Sequence, residues 1–227
     1  MGAGTGQWGY DLCEMHDGAL VVGFDLVAPK PGAPEGYRAV RGNLLHGLPF
    51  ANDSFDFVHQ RLLFAGVPVN AWPATVAELV RVCRPGGWVE LVEGATRSEP
   101  MGPAMERLVD LLLELNRSIG LDTDSVVFRS LDRYLIDAGL EQVARRVVEL
   151  PLGEWAGSVG RLMASDVRAL FTRLSARFTV RLGVPATECM GLVRAAQVEW
   201  EELHTTYAVA LAWGRKPEGE VVRGGST

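Results

Sequence analysis

Lysine is nearly absent from this chain: Lys30 and Lys216 are the only two among 227 residues. Arginine supplies the remaining basic charge, and 28 acidic against 22 basic residues leave a net charge of −6. That balance argues against a general nucleic-acid binder, which needs a basic face. Cysteine is scarce too. Cys13, Cys83 and Cys189 are scattered, odd in number and without metal spacing, so no metal site and a reduced, cytoplasmic setting are expected. No apolar run approaches the roughly 18 residues of a membrane span, and no charged-then-apolar leader marks export. What remains is a chain of ordinary hydrophobic content, long enough for one domain with a substantial core.

Glycine is plentiful where it matters. Gly2-Ala3-Gly4-Thr5-Gly6 opens the chain, and Asp25 ends the apolar run Leu20-Val21-Val22-Gly23-Phe24. Glycines let a backbone approach a ligand closely, and a following helix aims its N-terminal amides at an anion. An acid at a strand end can accept from two ribose hydroxyls. The pairing suits a nucleoside with a charged tail. Gly4, Gly6 and Gly9 also satisfy G-x-G-x-x-G, so the loop alone admits a nicotinamide dinucleotide as well.

Up to about Val92, short apolar runs alternate with helical stretches, as in βαβ units. Strands are expected at Leu20–Phe24, Tyr37–Arg41, Phe55–His59 and Trp88–Val92, with a helix at Ala71–Cys83 and a loop at Pro29–Gly36. Arg84-Pro85-Gly86-Gly87 is expected to stop that helix and turn the chain. Beyond Ala95 the period predicts helices at Met101–Ser118 and Ser125–Ala138, a strand at Gln142–Leu150, and a long helix through Val159–Phe178. Another helix is expected from Pro185 to Leu203 and a last strand at Tyr207–Trp213. The expected division is a cofactor-binding half (residues 1–94), an acceptor-side half with cap helices (95–204), and a last strand with a flexible tail (205–227).

Leu48-Pro49-Phe50, Ser54-Phe55-Asp56-Phe57-Val58 and Arg84-Pro85-Gly86-Gly87-Trp88 follow the glycine loop in order. With these four motifs, the sequence resembles the class I S-adenosylmethionine-dependent methyltransferases, especially the branch acting on small molecules. The resemblance is close from Gly2 to Val92 and a matter of layout beyond. It implies an α/β, Rossmann-like fold with a mostly parallel sheet flanked by helices, plus a helical cap, and methyl transfer from S-adenosylmethionine to a small-molecule acceptor. By position, Gly2, Gly4 and Gly6 would approach the methionine part and ribose, Asp25 the ribose hydroxyls, and Leu26 the adenine face. Asn43 and the Leu44 amide would serve the adenine edge, and His59 the methionine end or the reacting methyl.

Other roles stand beside these. Asn43 can close a turn through its own backbone, and Asp56 can cap local amides. His46 reads as solvated, His204 as a helix-end residue, and Trp8 as core or, less often for a first-helix tryptophan, as a ring stacked near the cofactor. His59 is needed as a base only if the acceptor must lose a proton; otherwise it contacts the cofactor. The stripe Leu162, Met163, Leu170, Phe171 and Phe178 reads as packing. Whatever part of it lines a cavity makes the acceptor apolar or aromatic, and the same helices could form a homodimer surface. A nicotinamide-dependent oxidoreductase and a non-catalytic methyltransferase-like binder remain as alternatives. The second follows from a departure: no counterpart of the family's first strand stands ahead of Gly2, so a slot in the sheet is expected and the given start reads as internal to a longer frame.

Overall fold

The computed structural model describes residues 1–27 and 32–218. Residues 28–31 of the expected Pro29–Gly36 loop and 219–227 of the expected tail lie outside the described residues. The elements run α1 (Gln7–Met15), β1 (Val21–Asp25), β2 (Tyr37–Arg41), β3 (Phe55–Arg61), α2 (Trp72–Val82), β4 (Cys83–Gly94), α3 (Pro103–Arg117), α4 (Val126–Asp137), β5 (Glu141–Pro151), α5 (Gly157–Leu182), α6 (Ala186–Leu203) and β6 (Thr206–Arg215).

The strands form two separate sheets among the described residues. One is the parallel ribbon β1-β2; the other has the order β3-β4-β6-β5. In the latter, β3 and β4 are parallel, while β6 runs antiparallel to both β4 and β5. The larger sheet is therefore mixed, with its parallel pairing confined to β3-β4. No described strand pairs the edge of β1 with that of β3. A groove of about 640 Å³ runs there, lined by Trp8, Leu12, Val22, Phe57 and His59 among others.

One core lies under the sheets. Trp72, Val76 and Leu79 of α2, Leu91 of β4 and Leu131 of α4 are completely buried in it. A second core joins α3, α5 and α6 through Leu108, Phe171, Phe178 and Trp200. Pro103 stands in the first turn of α3, where the missing N–H costs nothing. The Glu199 carboxylate of α6 accepts from the Ala104 and Met105 amides at 2.8 Å each, satisfying the start of α3 from outside. Asp122 does the same for α4, accepting from the Val126 and Val127 amides.

Two local expectations are corrected. Arg84-Pro85-Gly86-Gly87 lies within β4, which begins at Cys83 rather than Trp88. Pairing from a distance overrides the turn residues: Gly86 N–H donates to the Lys216 carbonyl and Lys216 N–H to the Gly87 carbonyl. The β3–β4 register shifts between Phe55 and Phe57 to absorb the irregularity. The α5 stripe also divides. Met163, Val167, Phe171, Leu174 and Phe178 face the second core. Leu162 and Leu170, each a residue off that row, remain 69% and 37% exposed, because one residue is about 100° of helix.

Candidate functional site

The glycine loop lies over the end of β1 and is built by its backbone. Gly2, Gly4 and Gly6 have φ of 68°, 53° and 88°, the left-handed region that a side chain disfavours. Gly6 is then the N-cap of α1. A Cβ on Gly2 would stand 2.7 Å from Leu63 Cδ2, so the residues after β3 close on the loop. At Gly4 a Cβ would meet nothing within 4 Å, and that face of the loop is open. The loop is tied down at its root: the Gly2 and Ala3 amides donate to the Phe24 carbonyl, and the Met1 amine to the His59 carbonyl.

Asp25 joins the loop to the strand end. Its Oδ2 accepts from the Gly4 amide at 2.8 Å and its Oδ1 from the Val27 amide at 2.9 Å. A carboxylate has about four acceptor sites, so each oxygen keeps capacity for a further donor. Leu26, just beyond, is exposed and free to cover a ring. Asn43 lies past the end of β2, where its Oδ1 accepts from the Leu45 amide and caps the short turn Leu44–His46. That is the turn-closing role, and its Nδ2 and second lone pair are left over. Gly42 N–H donates to the Asp25 carbonyl, holding this turn beside the acid.

His59 is not at the strand end but two residues inside β3. Its Nδ1 lies 2.8 Å from Glu90 Oε1 on β4, and its ring stacks on Trp8 of α1 at 4.0 Å and 13°. Nε2 is buried without a partner among the described residues. Trp8 is accordingly half-buried against a site residue rather than in either core. Arg61, two residues on and on the same strand face, lines the cleft with Gly2, Thr5 and His59. Reading motifs alone misses Arg61; the period-2 rule applied onward from His59 finds it.

The remaining candidates fall outside this cluster. Asp56 pairs with Arg84 on the surface at 2.5 Å. His46 is exposed. His204 ends α6 with φ of 52° and stacks on Trp155. Among the described residues, no group of three or more His, Cys, Asp or Glu could hold a metal ion. No described helix is long and apolar enough to cross a membrane.

Residues 1–87 match a family described as a methyltransferase domain. The chain is 29% identical over 174 residues to the N-methyltransferase sirN of Leptosphaeria maculans, covering 73% of this chain and 60% of that protein. It is 28% identical over 235 residues to the methyltransferase pytC of Aspergillus terreus, covering 96% of this chain and 70% of that one. The chain spans about three fifths of the length of sirN and of a second relative, the N-methyltransferase gliN of Aspergillus fumigatus. Among solved structures, a phosphoethanolamine N-methyltransferase of Haemonchus contortus superposes with TM-score 0.57 at 14% identity, over 96% of this chain and 48% of that one. The [4+2]-cyclase SpnF superposes with TM-score 0.54 at 17% identity, over 96% and 73%.

Proposed function

We propose, from the premise that the chain belongs to the class I S-adenosylmethionine-dependent methyltransferases, that it transfers a methyl group to a small-molecule acceptor. The observation that carries this reading is the Asp25 carboxylate bonded to the Gly4 amide at 2.8 Å, which makes the glycine loop and the strand-end acid one cradle. Donor and acceptor types fit: an acid with spare lone pairs for ribose hydroxyls, and an open left-handed glycine where a bulky ligand must approach. S-adenosylmethionine, when bound, would supply an activated sulfonium methyl, leaving the protein to position, align and exclude water.

In this reading the backbone at Gly2, Gly4 and Gly6 follows the ribose and methionine part, Asp25 binds the ribose, and Leu26 packs on the adenine. The Asn43 side chain and the Leu44 amide take the adenine edge. His59 acts on the cofactor side through Nε2, with Nδ1 held by Glu90. Several relatives are named N-methyltransferases, which favours a nitrogen acceptor. An amine attacks through its own lone pair and needs no base in the displacement itself. The three cysteines are unpaired, which supports a reduced cytoplasmic setting.

Calorimetric titration with S-adenosylhomocysteine and, separately, NADH tests the reading. Binding of the first alone is expected, together with methyl transfer to amines. NADH binding would replace this proposal with the oxidoreductase. Binding of S-adenosylhomocysteine without transfer to any acceptor would leave a cofactor-binding protein, and the likeness to a cyclase shows that the fold does not dictate the reaction.

A further inference from the structure

The most deeply buried carboxylate near the cradle has no part in the roles above. Glu93, the penultimate residue of β4, is 0% exposed. Its Oε1 accepts from the Leu63 amide at 2.7 Å and its Oε2 from the Phe64 amide at 3.1 Å, while Gln60 Nε2 makes a short contact with Oε1. These partners lie about the turn that leaves β3. The turn is bent at Leu62, with φ of 53°, and its Leu63 side chain packs against Gly2. Arg61, at its root, lines the cleft.

We infer that Glu93 is a positioning residue for the cofactor cradle: its carboxylate holds the Arg61–Phe64 turn against the glycine loop, and its proton sets how firmly. This rests on the proposed cofactor reading for its consequence, though not for its geometry. An ionised carboxylate accepts from all three donors with charge-assisted bonds. A neutral one has a single good carbonyl acceptor for two backbone amides. Its hydroxyl must then find an acceptor, and Gln60 Oε1, buried without a partner among the described residues, supplies one if the amide turns over.

The groups facing Glu93 keep the proton within reach. Burial pushes its carboxyl up to about 7, against the three hydrogen bonds that lower it, and Asp122 from the approach to α4 adds to the rise. From β6, the Tyr207 hydroxyl is itself held protonated by burial and by the Glu93 charge. None of the ion pairs among the described residues includes Glu93. The sign follows. A raised carboxylate stabilises the fold most below the ordinary carboxylate range, and that contribution is lost as pH climbs towards 7. The grip on the turn moves the other way, strengthening as the proton leaves.

Opposed trends are a signature that simple packing lacks. Between pH 6 and 8 the thermal midpoint of the wild type should fall relative to that of Glu93→Gln, which shares the opposite trend of the buried Met1 amine, while wild-type affinity for S-adenosylhomocysteine rises by about tenfold, the limit for one linked proton leaving near pH 7. Protection of the Leu63 and Phe64 amides against exchange, corrected for intrinsic rates, should rise with the affinity. Glu93→Gln should flatten the affinity and protection profiles at or below the low-pH wild-type affinity. Flat wild-type affinity and protection profiles overturn the inference without any variant. So does a Glu93→Gln protein that keeps the wild-type slopes, or amide protection that changes while affinity does not. If the wild type binds no S-adenosylhomocysteine, the cofactor reading fails, and amide protection alone still decides whether Glu93 holds the turn.

Discussion

β1 and β4 each pair in parallel with one neighbour, yet they are held quite differently. β4 pairs along its length with β3 on one side and β6 on the other, and its inward residues are fully buried. Among the described residues β1 pairs only with β2, and only two of its five residues are buried. The ribbon that carries the glycine loop meets the rest of the molecule through few described ties. These include the Met1 amine on the His59 carbonyl, the stacking of Trp8 on His59, the packing of Leu63 against Gly2, and Phe24, which enters the first core beside Phe50. The comparison teaches that the scaffold and the cradle are not equally stable. Units with few buried apolar contacts open at lower free energy than the global unfolding.

The largest expected effect separates the two strands directly. Leu91→Ala in β4, at a completely buried position, should cost about 2–5 kcal/mol in urea unfolding. Val22→Ala in β1, half-buried beside the groove, should cost about 1 kcal/mol or less. Equal costs would break the comparison, because β1 would then be core in solution.

The strands show what the sequence discloses and what it does not. Tyr37–Arg41 has the expected bounds, since glycines on both sides, Gly36 and Gly42, delimit so short a run locally. The spans of α3 and α6 were equally legible, because a helix bounded by its own start and stop residues needs no distant partner. Arg84–Gly87 misled because its hydrogen bonds go to Lys216, over a hundred residues away. In the site, the glycines and Asp25 were visible as a spaced motif, and the structure brings them into contact. Glu93 was not: in sequence it is the polar end of a strand, and its donors lie some thirty residues earlier. His59 was visible as a residue type but not as a partner of Trp8 and Glu90, since both contacts are tertiary.

A middle-sized effect concerns the cradle alone. Asp25→Ala removes the acceptor for the Gly4 amide as well as the proposed ribose contacts. Charged hydrogen bonds are worth about 1.5–3 kcal/mol, so affinity for S-adenosylhomocysteine should fall about ten- to a hundredfold. Stability should change much less, because the ribbon contributes little to either core. Unchanged affinity removes Asp25 from the site. A loss of stability as large as that of Leu91→Ala would mean that the loop anchors the sheet rather than resting on it.

The smallest effect tests the tie itself. Trp8 and His59 stack at 4.0 Å with rings 13° apart, across the end of the groove that separates the two sheets. Aromatic pairs of this kind are worth about 0.5–1.5 kcal/mol beyond the area they bury. A double-mutant cycle with Trp8→Ala and His59→Ala isolates that coupling, since each single change also removes other contacts, the Glu90 hydrogen bond among them. A coupling in this range assigns His59 to joining α1 and β3, and His59→Ala should then weaken S-adenosylhomocysteine binding through a loosened loop. In that case Trp8→Ala should weaken binding by a similar factor. If His59→Ala weakens binding while Trp8→Ala does not, His59 touches the cofactor itself through Nε2. A coupling near zero removes the stack as a tie, and the ribbon is then held to the larger sheet chiefly by its backbone bonds and by Phe24.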